Sequence, residues 1–182
     1  MTLSGTADKI RRLMPTDPSQ SLNPLRLAKA GERLEGDIRL DSMERIADMV
    51  LENQGVLHYC LRFGVDDSGT HFVESEISTQ LVMRCQRCLE PVTIDIHKLT
   101  LLGIVRSKTE AESLAVKYEP LVLDEDVIRV NDLVEDELLL AIPYSPLHPK
   151  EQCSGTMELD QINAESKVNP FASLASLKKD KS

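Results

Sequence analysis

From Gly55 onward apolar residues recur at every second position, and this alternation constrains the fold more than any other feature of the chain. Leu57, Tyr59, Leu61 and Phe63 alternate with His58, Cys60 and Arg62, the pattern of a strand with one face on a core and the other in water. Asp66, Asp67, Ser68 and Gly69 supply a turn. Val73, Ile77, Leu81 and Met83 then mark one face of a longer strand, which should pair antiparallel with the first. After Pro91, Val92, Ile94 and Ile96 alternate with Thr93, Asp95 and His97. The pattern slips by one at Lys98 and Leu99, as at a bulge, and continues through Leu101 and Val105. Three antiparallel strands are the least this stretch can form.

Helical signals flank the strands. Asn23 before Pro24 is a favoured cap and first-turn pair, Leu25, Leu27 and Ala28 follow, and Gly31 can end the helix. Leu34, Asp37, Ile38, Arg39 and Leu40 suggest a short strand. Asp41 and Glu44 then stand in capping-box positions for a second helix with Met43, Ile46, Ala47 and Val50 on its apolar face. Residues 107–117 read as a polar loop with a helical turn, and Leu121, Val122, Val127, Ile128 and Val130 as one or two short strands. The clearest helix starts at Asn131 as cap and buries Leu133, Val134, Leu138, Ala141 and Ile142; Pro143 and Pro146 stop it.

The fold class is therefore α+β: a mainly antiparallel sheet covered by two or three helices, with polar N- and C-terminal extensions. Residues 1–22, interrupted by Pro15 and Pro18 and carrying Lys9, Arg11 and Arg12, read as a flexible basic arm. Residues 23–153 form the domain. Residues 154–182 read as a linker and a short amphipathic helix in which Phe171, Leu174 and Leu177 recur every third residue, with Lys178, Lys179 and Lys181 after them. An isolated helix of about 10 residues is marginal, so this segment should dock on the domain or on a partner.

Composition narrows the function. With three Phe, three Tyr and no Trp, the core is aliphatic and no aromatic run is available for stacking bases. No run approaches the roughly 20 apolar residues of a membrane span, which suits a cytoplasmic protein; there Cys60, Cys85, Cys88 and Cys153 are thiols or metal ligands rather than disulfides. The net charge of −9 disfavours coating of nucleic acid by a general basic surface. Charge is unevenly spread: residues 1–33 are mainly basic and residues 109–153 strongly acidic.

The sharpest local feature is Cys85-Gln86-Arg87-Cys88, between the second and third strands of the alternating region. Two cysteines at this spacing on a tight turn can face one tetrahedral Zn²⁺, and His148 and Cys153 could complete the set. The alternatives are a reduced thiol pair that only packs, or redox chemistry, which is disfavoured because Cys85 does not open a helix. Arg84 and Arg87 bracket the turn, and Arg26 and Lys29 share a face of the first helix; both pairs are candidate contacts to RNA or a partner. The chain has no Gly-rich phosphate loop, no G-x-S-x-G and no H-E-x-x-H. Asp132, Glu135, Asp136 and Glu137 could hold Mg²⁺ for a nuclease, although acids in the first turns of a helix are commonly dipole partners.

Three stretches together, residues 83–91 (MRCQRCLEP), 131–146 (NDLVEDELLLAIPYSP) and 169–179 (NPFASLASLKK), resemble the YceD family of large ribosomal RNA subunit accumulation proteins. Carried over by position, Cys85, Cys88, Glu135, Asp136, Glu137 and Phe171 match its motif residues. Many relatives carry further cysteines after the acidic helix; here His148 and Cys153 occupy that stretch. The resemblance implies a cytoplasmic, non-enzymatic factor in synthesis, processing or stability of large-subunit (23S) ribosomal RNA. Its partners would be that RNA or large-subunit assembly proteins, with no small-molecule substrate. The other readings are a Mg²⁺-dependent RNA-processing nuclease and a zinc-stabilised adaptor for a ribosomal protein.

Overall fold

The computed structural model describes residues 21–123, 125–156 and 162. Of these, residues 21–83, 93–123 and 125–144 belong to one compact unit, and Arg84–Val92 with residues 145–156 and 162 to a second. In chain order the elements are β1 (Ser21–Leu22), α1 (Pro24–Ala30), β2 (Arg33–Arg39), two 3-10 turns, β3 (Val56–Val65), β4 (His71–Arg84) and β5 (Pro91–Val105). After these come α2 (Lys108–Glu112), β6 (Glu119–Val122), β7 (Ile128–Arg129) and α3 (Val130–Ala141). The α+β class stands.

The sheet follows from the alternation. Strands lie in the order β2-β3-β4-β5-β6, and β3 pairs antiparallel with both β2 and β4. The registers Leu34↔Leu61↔Ser75, Gly36↔Tyr59↔Ile77 and Ile38↔Leu57 place these residues on one face, and all but Gly36 are buried. Fully burying a Leu stabilises by about 1.5–3 kcal/mol, so this face supplies much of the core. Gly36 is a packing requirement, since a Cβ there would lie 2.9 Å from the Tyr59 hydroxyl. On the opposite face Arg62 bridges Glu74 at 2.5 Å and Glu76 at 3.1 Å, and His58 pairs with Asp37 at 2.5 Å.

The first helix forms as its sequence dictates. Asn23 Oδ1 accepts from the Arg26 N–H at 2.9 Å, Pro24 takes the first turn, and Gly31 caps the end at φ +64°. Ser107 caps α2 in the same way, its hydroxyl accepting from the Glu110 N–H. Two connections were not visible in sequence: β6 runs parallel to β5, and β1 pairs antiparallel with β7 to make a separate two-stranded ribbon.

Three expectations need correction. The second helix, over residues 41–50, is instead two 3-10 turns, Leu40–Ser42 and Glu44–Ile46, with extended Met43 between them. Only Met43 and Ile46 of its expected apolar face are buried, a spacing of three that suits a 3-10 turn. The Arg45 N–H is held by Glu135 at 2.9 Å instead of by a helix carbonyl. The inward face of β5 does not change sides at Lys98 and Leu99: Val92, Ile96, Thr100, Leu102 and Ile104 are buried while Leu99 is exposed. Lys98 stays in phase because its ammonium reaches buried Glu137 at 3.1 Å. Finally, α3 begins two residues earlier than expected, with Arg129 rather than Asn131 flanking it and no side-chain cap; Asn131 Oδ1 is buried without a hydrogen-bond partner.

Candidate metal centre

The turn after β4 is tight because its backbone closes on itself. The Leu89 N–H donates to the Cys85 carbonyl and the Cys85 N–H to the Glu90 carbonyl, both at 2.9 Å. Leu89 adopts φ +65°, the only left-handed residue other than glycine among those described, a conformation that costs about 1–2 kcal/mol. This turn brings the Cys85 and Cys88 thiols to one side. A second segment, residues 145–156, lies against it: the Gln86 N–H donates to the Pro146 carbonyl at 2.9 Å and the Arg87 guanidinium to the Thr156 hydroxyl. The approach at Gly155 is so close that a Cβ there would meet the Arg87 carbonyl oxygen at 2.9 Å, so only glycine fits without backbone movement.

The result is a cluster of four ligand atoms. The sulfurs of Cys85, Cys88 and Cys153 and a ring nitrogen of His148 all lie within 4.8 Å of one another, with Cys85 and Cys153 fully buried. A tetrahedral zinc with Zn–S bonds of about 2.3 Å separates its ligand atoms by roughly 3.8 Å, so this arrangement can hold a metal ion. His148 Nδ1 is 3.3 Å from Cys88 Sγ, while Nε2 is 2.9 Å from the Pro91 carbonyl oxygen. A carbonyl can only accept, so Nε2 carries the proton and the Nδ1 lone pair faces the thiols. A hydrogen bond of this kind is what orients an imidazole toward a metal.

The electrostatics favour thiolate. Burial raises the Cys85 thiol, but backbone N–H groups of Cys88, His148 and Arg87 outweigh it and bring it down to about 5. Burial also opposes ionisation of Cys153, and the Thr156 hydroxyl and N–H overcome it, lowering that thiol. Cys88 moves the other way. The Glu90 N–H favours its thiolate, but burial and the neighbouring sulfurs of Cys85 and Cys153 raise it. His148 is raised, first by the Cys85 sulfur. Three sulfurs cannot all ionise in so small a space without a cation among them.

The four expected ligands thus come together. The surrounding groups that position them, the Pro91 carbonyl, Thr156 and Gly155, were missed; Gly155 two residues after Cys153 was the one available signal. Arg84 is exposed beside the turn, whereas Arg87 is half-buried and occupied by Thr156. Arg26 and Lys29 are exposed on α1. The acidic residues of α3 are engaged within the sheet unit: Glu135 and Asp136 bind Arg45 at 3.1 and 2.5 Å, and Glu137, 3% exposed, binds Lys98. Phe171, Leu174 and Leu177, and the basic residues Lys9, Arg11 and Arg12, lie outside the described residues. Among the described residues no helix is long and apolar enough to cross a membrane.

Comparison with known proteins agrees with the motifs. The family described as large ribosomal RNA subunit accumulation protein YceD matches residues 73–178, a span that includes all four residues of the cluster. A Haemophilus influenzae protein named large ribosomal RNA subunit accumulation protein YceD is 28% identical over 165 residues, covering 87% of this chain and 94% of that protein. No solved structure matches. The match begins on β4, takes in the Cys-x-x-Cys turn, α3 and the His148–Cys153 segment, and extends past the described residues; the chain belongs to the YceD family of large ribosomal RNA subunit accumulation proteins.

Proposed function

We propose that this protein is a non-enzymatic factor in the synthesis, processing or stability of large-subunit (23S) ribosomal RNA, and that Cys85, Cys88, His148 and Cys153 hold a structural Zn²⁺. The observation that carries the reading is the closed ligand set. Four protein ligands fill a tetrahedral shell, whereas catalytic zinc sites keep one position for water or substrate. The ion would supply the positive charge that three crowded sulfurs require and would tie residues 85–88 to residues 148–153. His148, through its bond to the Pro91 carbonyl, orients the imidazole, and the backbone N–H groups around Cys85 hold its thiolate. The name of the Haemophilus influenzae relative supports the ribosomal RNA role.

Arg84, exposed at the start of the turn, is the residue best presented for an RNA or protein contact. The engagement of Glu135, Asp136 and Glu137 by Arg45 and Lys98 favours a structural role for the acids of α3 over Mg²⁺ chemistry.

The test is genetic. Cells lacking the protein should show a lowered ratio of large- to small-subunit ribosomal RNA, restored by the wild-type chain and not by Cys85→Ser/Cys88→Ser, while Arg84→Glu restores it in part. An unchanged ratio across temperatures and growth rates would sink the functional reading. Rescue by the double cysteine variant would remove the metal from it.

A further inference from the structure

Two cavities of about 450 Å³ each share Leu121, Leu133 and Asp136, and so run together as one furrow between β6 and α3. Both elements belong to the sheet unit. The floor is aliphatic, with half-buried Leu121 lying over buried Leu133, exposed Val122 and Val127 at one end, and Leu140, 70% exposed, at the other. The rim is acidic. Asp136 shares its charge with Arg45, but among the described residues neither Glu119 nor Glu125 has an ion-pair partner, and both are exposed. The furrow therefore combines exposed aliphatic surface with unmatched negative charge.

That combination selects the occupant. RNA is repelled by the carboxylates, since its affinity comes from pairing phosphates with cations. A purely apolar ligand would desolvate Glu119 and Glu125 without pairing them. An added β-strand is disfavoured because Pro120, in the last strand of the sheet, lacks the N–H that a continued ladder needs. What remains is a segment whose apolar side chains fill the floor while its cations meet the rim. We propose that this furrow docks a Lys/Arg-rich amphipathic segment of a partner protein, with apolar residues on Leu121, Val127 and Leu140 and cations on Glu119 and Glu125. From Leu133 to Leu140 the helix advances about 10 Å at 1.5 Å per residue, so roughly two turns of a helical segment suffice. Such a small contact implies dissociation constants of roughly tens of micromolar. The proposal stands on the furrow alone and depends on neither the metal nor the ribosomal RNA role.

Fluorescence anisotropy on the full, metal-replete chain tests it, with three labelled probes of similar length: an amphipathic Lys/Leu peptide, a Glu/Leu peptide of the same pattern, and a single-stranded RNA. The Lys/Leu peptide should bind, weaken about fivefold as salt rises from roughly 50 to 300 mM, and shift the amide resonances of Leu121 and Leu140. The variant Glu119→Lys/Glu125→Lys should lose about tenfold in affinity, and Leu140→Glu a comparable amount. Asp67→Lys/Asp95→Lys, the same charge change on residues that do not line the furrow, should change it less than about twofold. Equal losses from both double variants would reduce the effect to net charge and overturn the proposal. So would tighter binding of the Glu/Leu peptide, or RNA binding that shifts these same resonances. Lys/Leu binding that appears only after removal of residues 1–20 would assign the furrow to the chain's own N-terminal residues and also overturn it.

Discussion

The sheet unit buries Leu57, Leu61, Ile77 and Leu81 almost completely. The unit formed around residues 84–92 and 145–156 buries Cys85 and Cys153, and besides them, among its described residues, only Val92 and Pro146. One region removes enough apolar surface from water to hold its shape. The other lacks such a core and converges instead on three sulfurs and an imidazole. Small units without enough apolar surface are commonly held by a metal, which makes binding free energy into folding free energy.

The largest effect should come from the proposed metal. A chelator, or Cys153→Ser, should remove near-stoichiometric zinc and open residues 145–156 to protease while the far-UV signal of the strands persists; in zinc-finger peptides such sites supply about 10–16 kcal/mol. Joint loss of zinc and strand signal would erase the contrast between the two regions. Next comes the aliphatic side of the comparison: Leu61→Ala should cost about 2–5 kcal/mol in urea unfolding, with zinc still bound below the transition. A cost under about 1 kcal/mol would mean that the sheet core is not what holds the larger unit.

A third, smaller effect sharpens the sheet side further. Asp66 accepts from the Tyr118 hydroxyl at 2.7 Å and the Thr70 and Ser68 N–H groups at 2.9 and 3.0 Å, with Lys117 at 3.3 Å. These contacts, the Tyr118 bond foremost, hold its carboxyl well below the ordinary range. A carboxyl depressed in the folded state contributes stability that is fully present above its unfolded value of about 3.9 and is lost as pH falls through the folded value. Asp66→Asn should therefore lower Tm by a few degrees at pH 7 and flatten the decline in Tm on acidification below about pH 5. An unaltered acid limb would contradict this. The smallest effect belongs to the Cys85–Glu90 turn: Leu89→Gly relieves a left-handed leucine and should stabilise by about 0.5 kcal/mol, the strain released being partly offset by the entropy of glycine in the unfolded chain.

Local signals in the sequence translated well into structure. Asn23, Pro24 and Gly31 define α1 through bonds within a few residues, and the alternation of β3 and β4 fixes their inward faces and thereby their register. The errors arose where a distant residue decided a local outcome. Glu135, 90 residues away, captures the Arg45 N–H and displaces a helix, and buried Glu137 keeps Lys98 in phase on β5. In the Cys/His cluster the residue types and the Cys-x-x-Cys spacing were legible. The Pro91 carbonyl that orients His148 is backbone and leaves no mark in residue identity, and the parallel pairing of four-residue β6 is too short to announce itself.

The ribbon of β1 and β7 bears on how the chain emerges during synthesis. Ser21 pairs with Arg129, and Leu22 with Ile128, so the start of the described fold finds its hydrogen-bond partners only after more than a hundred further residues have been added. At about 5–20 residues per second that interval is on the order of 5–20 s. The hairpin of β3 and β4 can close meanwhile, because its partners follow one another directly. The β1–β7 ribbon is thus the part that must wait, closing only after the segment leading into α3 has been made.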